Sequence, residues 1–192
     1  TTQVNYVDPL DRKQILEADQ ELRHQMNIIT DFLRKYVPGY EHCTIKTGAS
    51  TLGIRESRRF SGKYVMNISD LREARRFPDV VVHKAQFVVD IHNPVGGGQA
   101  NGIAEYVDAY DIPWRSLVPQ KMENLILAGR CISGTHEAMA SYRVMAIAMA
   151  IGEAAGIGAA LAIDHDVTPE NLDVKYIQKA LMDKGAVLFD EK

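Results

Sequence analysis

The sequence predicts an α/β chain, and three observations carry that reading. A short apolar run, Leu125-Ile126-Leu127-Ala128, meets Gly129-Arg130, and a polar loop and a long apolar helix follow; this is the order strand, glycine turn, helix. Near the start, a second helix shows one apolar face. Between the two lie short runs rich in β-branched residues. At 192 residues the chain is long enough for one domain, or one and a half, with a real core.

Taken in order, Asp8-Pro9 reads as an N-cap followed by proline at the first helical position. Ile15, Leu22, Met26, Ile29, Leu33 and Tyr36 then mark one face of a helix that Pro38-Gly39 ends. Arg12, Glu17, Glu21 and Arg34 sit on the other face, so the apolar face is expected to pack on a core. Strands are expected at Thr44 to Thr47, Gly53 to Phe60 and Tyr64 to Met66, and Asp70 is expected to cap a helical turn through Ala74. Val80-Val81-Val82 and Phe87 to Ile91 have strand character. Asn93-Pro94 and Gly96-Gly97-Gly98 predict a flexible loop, structure resumes at Glu105 to Tyr110, and Ile112 to Pro119 reads as extended and proline-bounded. The helix Met139 to Ile163 contains Arg143, Glu153 and Gly152, Gly156 and Gly158. That makes it a buried core helix rather than a membrane span, which needs roughly 18 apolar residues in a run. Asp166 to Glu170 is read as a cap before a final helix, Val174 to Asp183, that ends near Gly185.

A net charge of −3 and a pI near 6.1 exclude a general nucleic-acid binder, which would be basic. Cys43 and Cys131 stand far apart and outside any CxxC spacing. A disulfide framework and a zinc site are therefore not expected, and a reducing, cytoplasmic setting is.

Three constellations can carry chemistry. In the first, Gly129 allows close backbone approach, while Ser133, Thr135 and Ser141 offer donors and Arg130, His136 and Arg143 offer positive charge. A glycine placed there for steric reasons alone is the plain alternative. The second is Gly53 to Arg59: on a strand, Arg55, Ser57 and Arg59 share one face and Glu56 and Arg58 the other. It reads as a solvated edge strand or as an anion-binding surface. The third is Asp90-Ile91-His92, a carboxylate–imidazole pair that is either a satisfied structural histidine or a proton-transfer group. The sequence has no HExxH, GxSxG or P-loop, and no GxGxxG between a strand and a helix. A metal-dependent hydrolase built on Asp90 and His92 lacks the further ligand cluster it would need.

Leu52 to Arg59, Asp90 to His92, Ile112 to Pro119 and Asn124 to Val144, in this order, resemble the C-terminal half of the FAD dependent oxidoreductase family. The resemblance spans nearly the whole chain. It implies part of a doubly wound FAD-binding domain (its last strand and helix) joined to a mixed α+β cap. The boundaries it suggests are a cap or substrate portion at 1–115, the C-terminal part of the FAD domain at 116–165 and a helical tail at 166–192. It further implies FAD as cofactor, near Arg55, Glu56, Gly129, Arg130, Cys131, Ser133, His136, Ser141, Arg143 and Val144. Arg58, Arg115 and His136 are implied to orient an anionic or carbonyl small molecule, and His92 to donate a proton. The partner implied is an N-terminal FAD-binding half in a longer parent, with the isolated chain expected to be inactive. The competing expectation is a non-catalytic fragment or interaction module. Apolar surface left on the 139–163 helix predicts self-association, and no nucleic-acid or membrane partner is expected.

Overall fold

The computed structural model describes residues 2–93 and 104–190. The expected loop at Pro94 and Gly96-Gly97-Gly98 lies outside them. The chain forms two compact units, Thr1–Ser57 and Arg58–Lys192.

In the first unit, α1 spans Arg12–Tyr36, and its cap is Asp11 rather than Asp8. The Asp11 carboxylate accepts from the backbone N–H groups of Lys13 and Gln14. Asp8 instead accepts from Leu10 in the preceding turn, so Pro9 falls outside the helix. Arg34 and Lys35 occupy the last turn, where positive charge meets the carbonyl end of the helix. The apolar row does not form a core within this unit. Ala18 is the buried residue of α1, whereas Ile15, Leu22, Met26 and Leu33 are half-buried and Ile29 and Tyr36 exposed. The chain then doubles back: the Arg34 guanidinium donates to the Cys43 carbonyl, and Met26 Cε sits 3.2 Å from where a Cβ on Gly48 would be. Residues 44–47 alternate in sequence but form no strand, because a strand needs a partner backbone for its ladder.

The second unit is built on a two-stranded antiparallel sheet. β1 (Val80–Ala85) pairs with β2 (Tyr110–Pro113), with Val80 opposite Pro113, Val82 opposite Ile112 and Ala85 opposite Tyr110. The register slips between these pairs. All of β2 is buried. Helix α4 (Met145–Asp164) and helix α5 (Val174–Asp183) pack against β1. From α5, Gln178 donates to the carbonyls of Pro78 and Val80 and ties the helix to the start of the strand. Trp114 opens a 3-10 turn after β2, and its indole N–H reaches the Pro169 carbonyl at 3.2 Å. A Cβ on Gly158 of α4 would lie 2.3 Å from the Trp114 ring, so only glycine lets the helix close on the indole.

Several expected strands are single rungs. Met66 bridges Gly134, Gly62 bridges Pro119, and Val89 bridges Glu105. The run Leu125 to Ala128 is extended without being a strand, and Leu127 donates to the Leu117 carbonyl at 3.0 Å. Helix α2 (Ile68–Arg72) is capped by Asn67; Asp70 is its third residue and closes the capping box from inside. Expected as one helix, residues 139–163 belong to two, α3 (His136–Tyr142) and α4, parted where Val144 turns extended (φ −70°, ψ 153°). Burial of α4 is one-sided. Ile147, Ile151, Ala154, Gly158 and Ala162 face the core, while Met145 and Met149 are 84% and 75% exposed. By length and composition α4 could cross a membrane. Helix α5 has the expected span, but its cap is Asp173 instead of Asp166, and Gly185 (φ +95°) follows it.

Candidate functional site

The glycine turn is held from both sides. Gly129 has φ +77° and open space where a Cβ would project, and it starts a 3-10 turn through Cys131. The Cys131 thiol donates back to the Ala128 carbonyl at 3.3 Å. Ile132 and Ser133 then dive into the interior, both fully buried. Ser133 N–H donates to the Ser116 carbonyl, and its own carbonyl accepts from Met66 N–H. A Cβ on Gly62 would lie 2.7 Å from Ser133 Cβ, so glycine is required there for the two segments to meet. The Arg59 guanidinium donates to the Gly134 carbonyl at 2.9 Å.

Helix α3 anchors the far side. Thr135 caps it, accepting from Ala138 N–H. The Tyr142 hydroxyl reaches back to donate to the Ile132 carbonyl at 3.1 Å, and burial pushes its phenol up. Glu137 in the first turn is held below the usual carboxylate range by its own backbone N–H and by the Thr135 hydroxyl. Arg130 and His136 are exposed, so this turn presents two cationic or hydrogen-bonding side chains to solvent.

A second cluster forms at the end of α3. The Arg143 guanidinium donates to the Asp90 carbonyl at 2.7 Å and to its carboxylate at 3.1 Å. His92 Nε2 lies 3.1 Å from the same carboxylate. The structure thus brings Asp90, His92 and Arg143 together, and Val144 is half-buried as the N-cap of α4. Ser141 is fully buried, donating to the Phe87 carbonyl at 2.6 Å and meeting the Tyr110 hydroxyl at 2.8 Å. Arg115 turns to Asp79, whose carboxylate its guanidinium grips with two bonds (2.8 and 3.0 Å). Arg58 is exposed at the start of the second unit; Arg55 and Glu56 belong to the first, in a segment without strand structure.

A family model described as FAD dependent oxidoreductase matches residues 1–181. The chain belongs to the FAD dependent oxidoreductase family. No curated protein and no solved structure matches it. Flavin-mediated redox is the general function that goes with this membership.

The turn at Gly129 fits one part of an FAD. Its backbone is open to approach, and the buried Ser133 hydroxyl has no hydrogen-bond partner among the described residues. Arg130 and His136 stand exposed on the same turn. The pyrophosphate is another matter, since the family's glycine-rich cradle has no counterpart in this sequence. Sequence reasoning gave Gly62 and Tyr142 no part in the site and put Arg59 on the Gly53 to Arg59 surface, although all three shape the turn. Their partners lie far along the chain, and no local pattern marks them.

Proposed function

We infer that this chain is the C-terminal, ring-side portion of an FAD dependent oxidoreductase that acts on a small molecule. Residues 116–165 are read as part of a doubly wound FAD-binding domain, residues 1–115 as part of its cap and residues 166–192 as a helical tail. The observation that carries this reading is the open left-handed turn at Gly129, which runs into α3 with Arg130 and His136 exposed, in a chain of this family.

When bound, FAD supplies the electron-transfer chemistry. The chain's own residues would hold and orient. Gly129 lets the backbone approach, and Cys131, Ser133 and Val144 shape the turn and the helix start behind it. Arg130 and His136 place positive charge or donors at an electron-rich edge. Asp90 and Arg143 fix the end of α3 and hold His92, the candidate proton donor; Ser141 locks α3 from beneath. Arg58 and Arg115 are assigned to an anionic or carbonyl substrate, Arg115 exchanging Asp79 for it.

The test is direct. Purified chain is mixed with FAD, excess is removed, and flavin absorbance that stays with the protein is measured. Retained flavin that falls on Arg130→Ala supports the reading; retention unchanged by Arg130→Ala and His136→Ala together argues against this turn as the contact. The second reading, an interaction module, is favoured by the exposed apolar side of α4. It predicts self-association at micromolar concentration, and a monomer by light scattering would count against it.

A further inference from the structure

The flavin reading leaves unused a cluster of charged groups around the buried His83 of β1. Past α5, Gly185 turns the chain, Ala186 N–H donates to the Leu181 carbonyl at 3.0 Å, and Leu188 is buried in the core. Residues 184–190 thus form a strap laid back on the unit. Its end is held by β1: Asp190 pairs with the Lys84 ammonium, and its carboxylate lies 3.5 Å from His83 Nε2. The His83 side chain is only 4% exposed, and its Nδ1 lies 2.9 Å from the Asp111 carboxylate, itself 3% exposed. Asp111 also accepts from Arg76 and from the backbone N–H groups of Phe77 and Lys84. Lys84 sits at an irregularity of the β1–β2 register with φ +53°, a left-handed backbone that costs energy for a residue with a side chain. At this kink, successive residues of one strand serve two carboxylates, one in the core and one on the strap.

We propose that the C-terminal strap, residues 184–190, is a proton-dependent latch closed by the imidazolium form of His83. The Nδ1 atom faces a buried carboxylate, which can only accept, so it carries a hydrogen in either charge state. The second proton can then reside only on Nε2, the atom that faces Asp190. Protonated, the ring attracts both carboxylates; neutral, it turns a lone pair toward Asp190 and leaves Lys84 alone to hold the strap. Proton uptake and strap docking therefore favour each other. Among the described residues, the charged groups around His83 are Asp111 from β2, Arg76 from the segment after α2, Lys84 from its own strand and Asp190 from the strap. The buried faces of α4 and α5 bring no ionisable side chain. Lys84, then His83, holds the Asp190 carboxyl below its usual range, so the strap keeps its negative charge.

The experiment is amide hydrogen exchange of residues 186–190 in the intact chain, at about pH 5.5 and about pH 8, either side of the range in which histidine changes charge. Rates are corrected for the intrinsic effect of pH. Protection is expected to fall roughly two- to fivefold at the higher pH, the range a half-exposed ion pair supports. Asp190→Asn, at an exposed position, should lower protection at the acid pH and remove the difference. Lys84→Gln should enlarge it. Equal protection at both values, or a pH dependence that survives in Asp190→Asn, would overturn the proposal. His83→Gln is the weaker variant because it also disturbs Asp111.

Discussion

Helix α4 carries three glycines whose replacement by alanine should not have the same sign. Gly158 is buried against Trp114, and a Cβ there would sit 2.3 Å from one ring atom and 2.9 Å from the next. Ordinary contact begins near 3.5 Å, so helix or indole must move by about an ångström. The indole cannot swing aside freely, since Trp114 is 4% exposed and its N–H is bonded to the Pro169 carbonyl. Overpacking of this kind costs about 1–3 kcal/mol. Alanine returns about 1 kcal/mol of helix propensity. The net expectation for Gly158→Ala is a loss of up to about 2 kcal/mol, or several degrees in Tm for a chain this long. Gly152 and Gly156 have open space where the methyl would go, so alanine there should stabilise by up to about 1 kcal/mol. Urea unfolding followed by the emission of the single tryptophan and by circular dichroism measures both effects. A Gly158→Ala protein as stable as Gly152→Ala would show that the indole yields, and the packing argument would fall.

Ser141→Ala should leave the buried Tyr110 hydroxyl and the part-buried Phe87 carbonyl without their partner, at a cost of about 1–3 kcal/mol by the same unfolding assay; a loss within error would mean these groups find other partners. Burial pushes the Tyr110 phenol up to about 12, against the opposing effect of its Ser141 hydrogen bond. An unfolded phenol titrates near 10, so the native state holds this proton more tightly. The resulting stability is intact below about pH 10 and is lost as pH rises from there toward about 12. Unfolding midpoints across that range should decline, and less steeply in Tyr110→Phe. The Arg115–Asp79 pair has a guanidinium that is 46% exposed, so Arg115→Ala should cost no more than about 1 kcal/mol at low salt and less at high salt. The Arg115 guanidinium also lies over the Tyr64 ring, 5.4 Å from its centre, and a larger, salt-independent loss would point to that packing instead.

The helices were the legible part of this chain. Periodicity and punctuation located α1 and α5 well, because both signals are local. Their caps were misplaced for a local reason too: Asp8 and Asp11, like Asp166 and Asp173, compete as caps, and only the backbone path decides. Of the strands, the start of β1 was legible in Val80-Val81-Val82, and the others were not. Residues 44–47, 53–60 and 125–128 have strand composition, but a strand exists only where a second backbone supplies the ladder. The break between α3 and α4 has no glycine or proline to announce it. It coincides with the pull of Asp90 on Arg143. At the candidate site, the Asp90–His92 pair was visible from its spacing, whereas the supports of the glycine turn were hidden because they are distant in sequence.

That distance bears on how the molecule assembles. Arg59 and Gly134 are bonded across 75 positions, and Phe60, Tyr64 and Met66 reach carbonyls of residues 131, 115 and 133 in the same way. Closing such large loops costs chain entropy before any contact repays it. The Gly129 turn therefore acquires its shape late, after the local helices, and its integrity reports on completed folding more faithfully than helix content does. In a refolding time course, helical signal should recover ahead of any ability to engage a flavin.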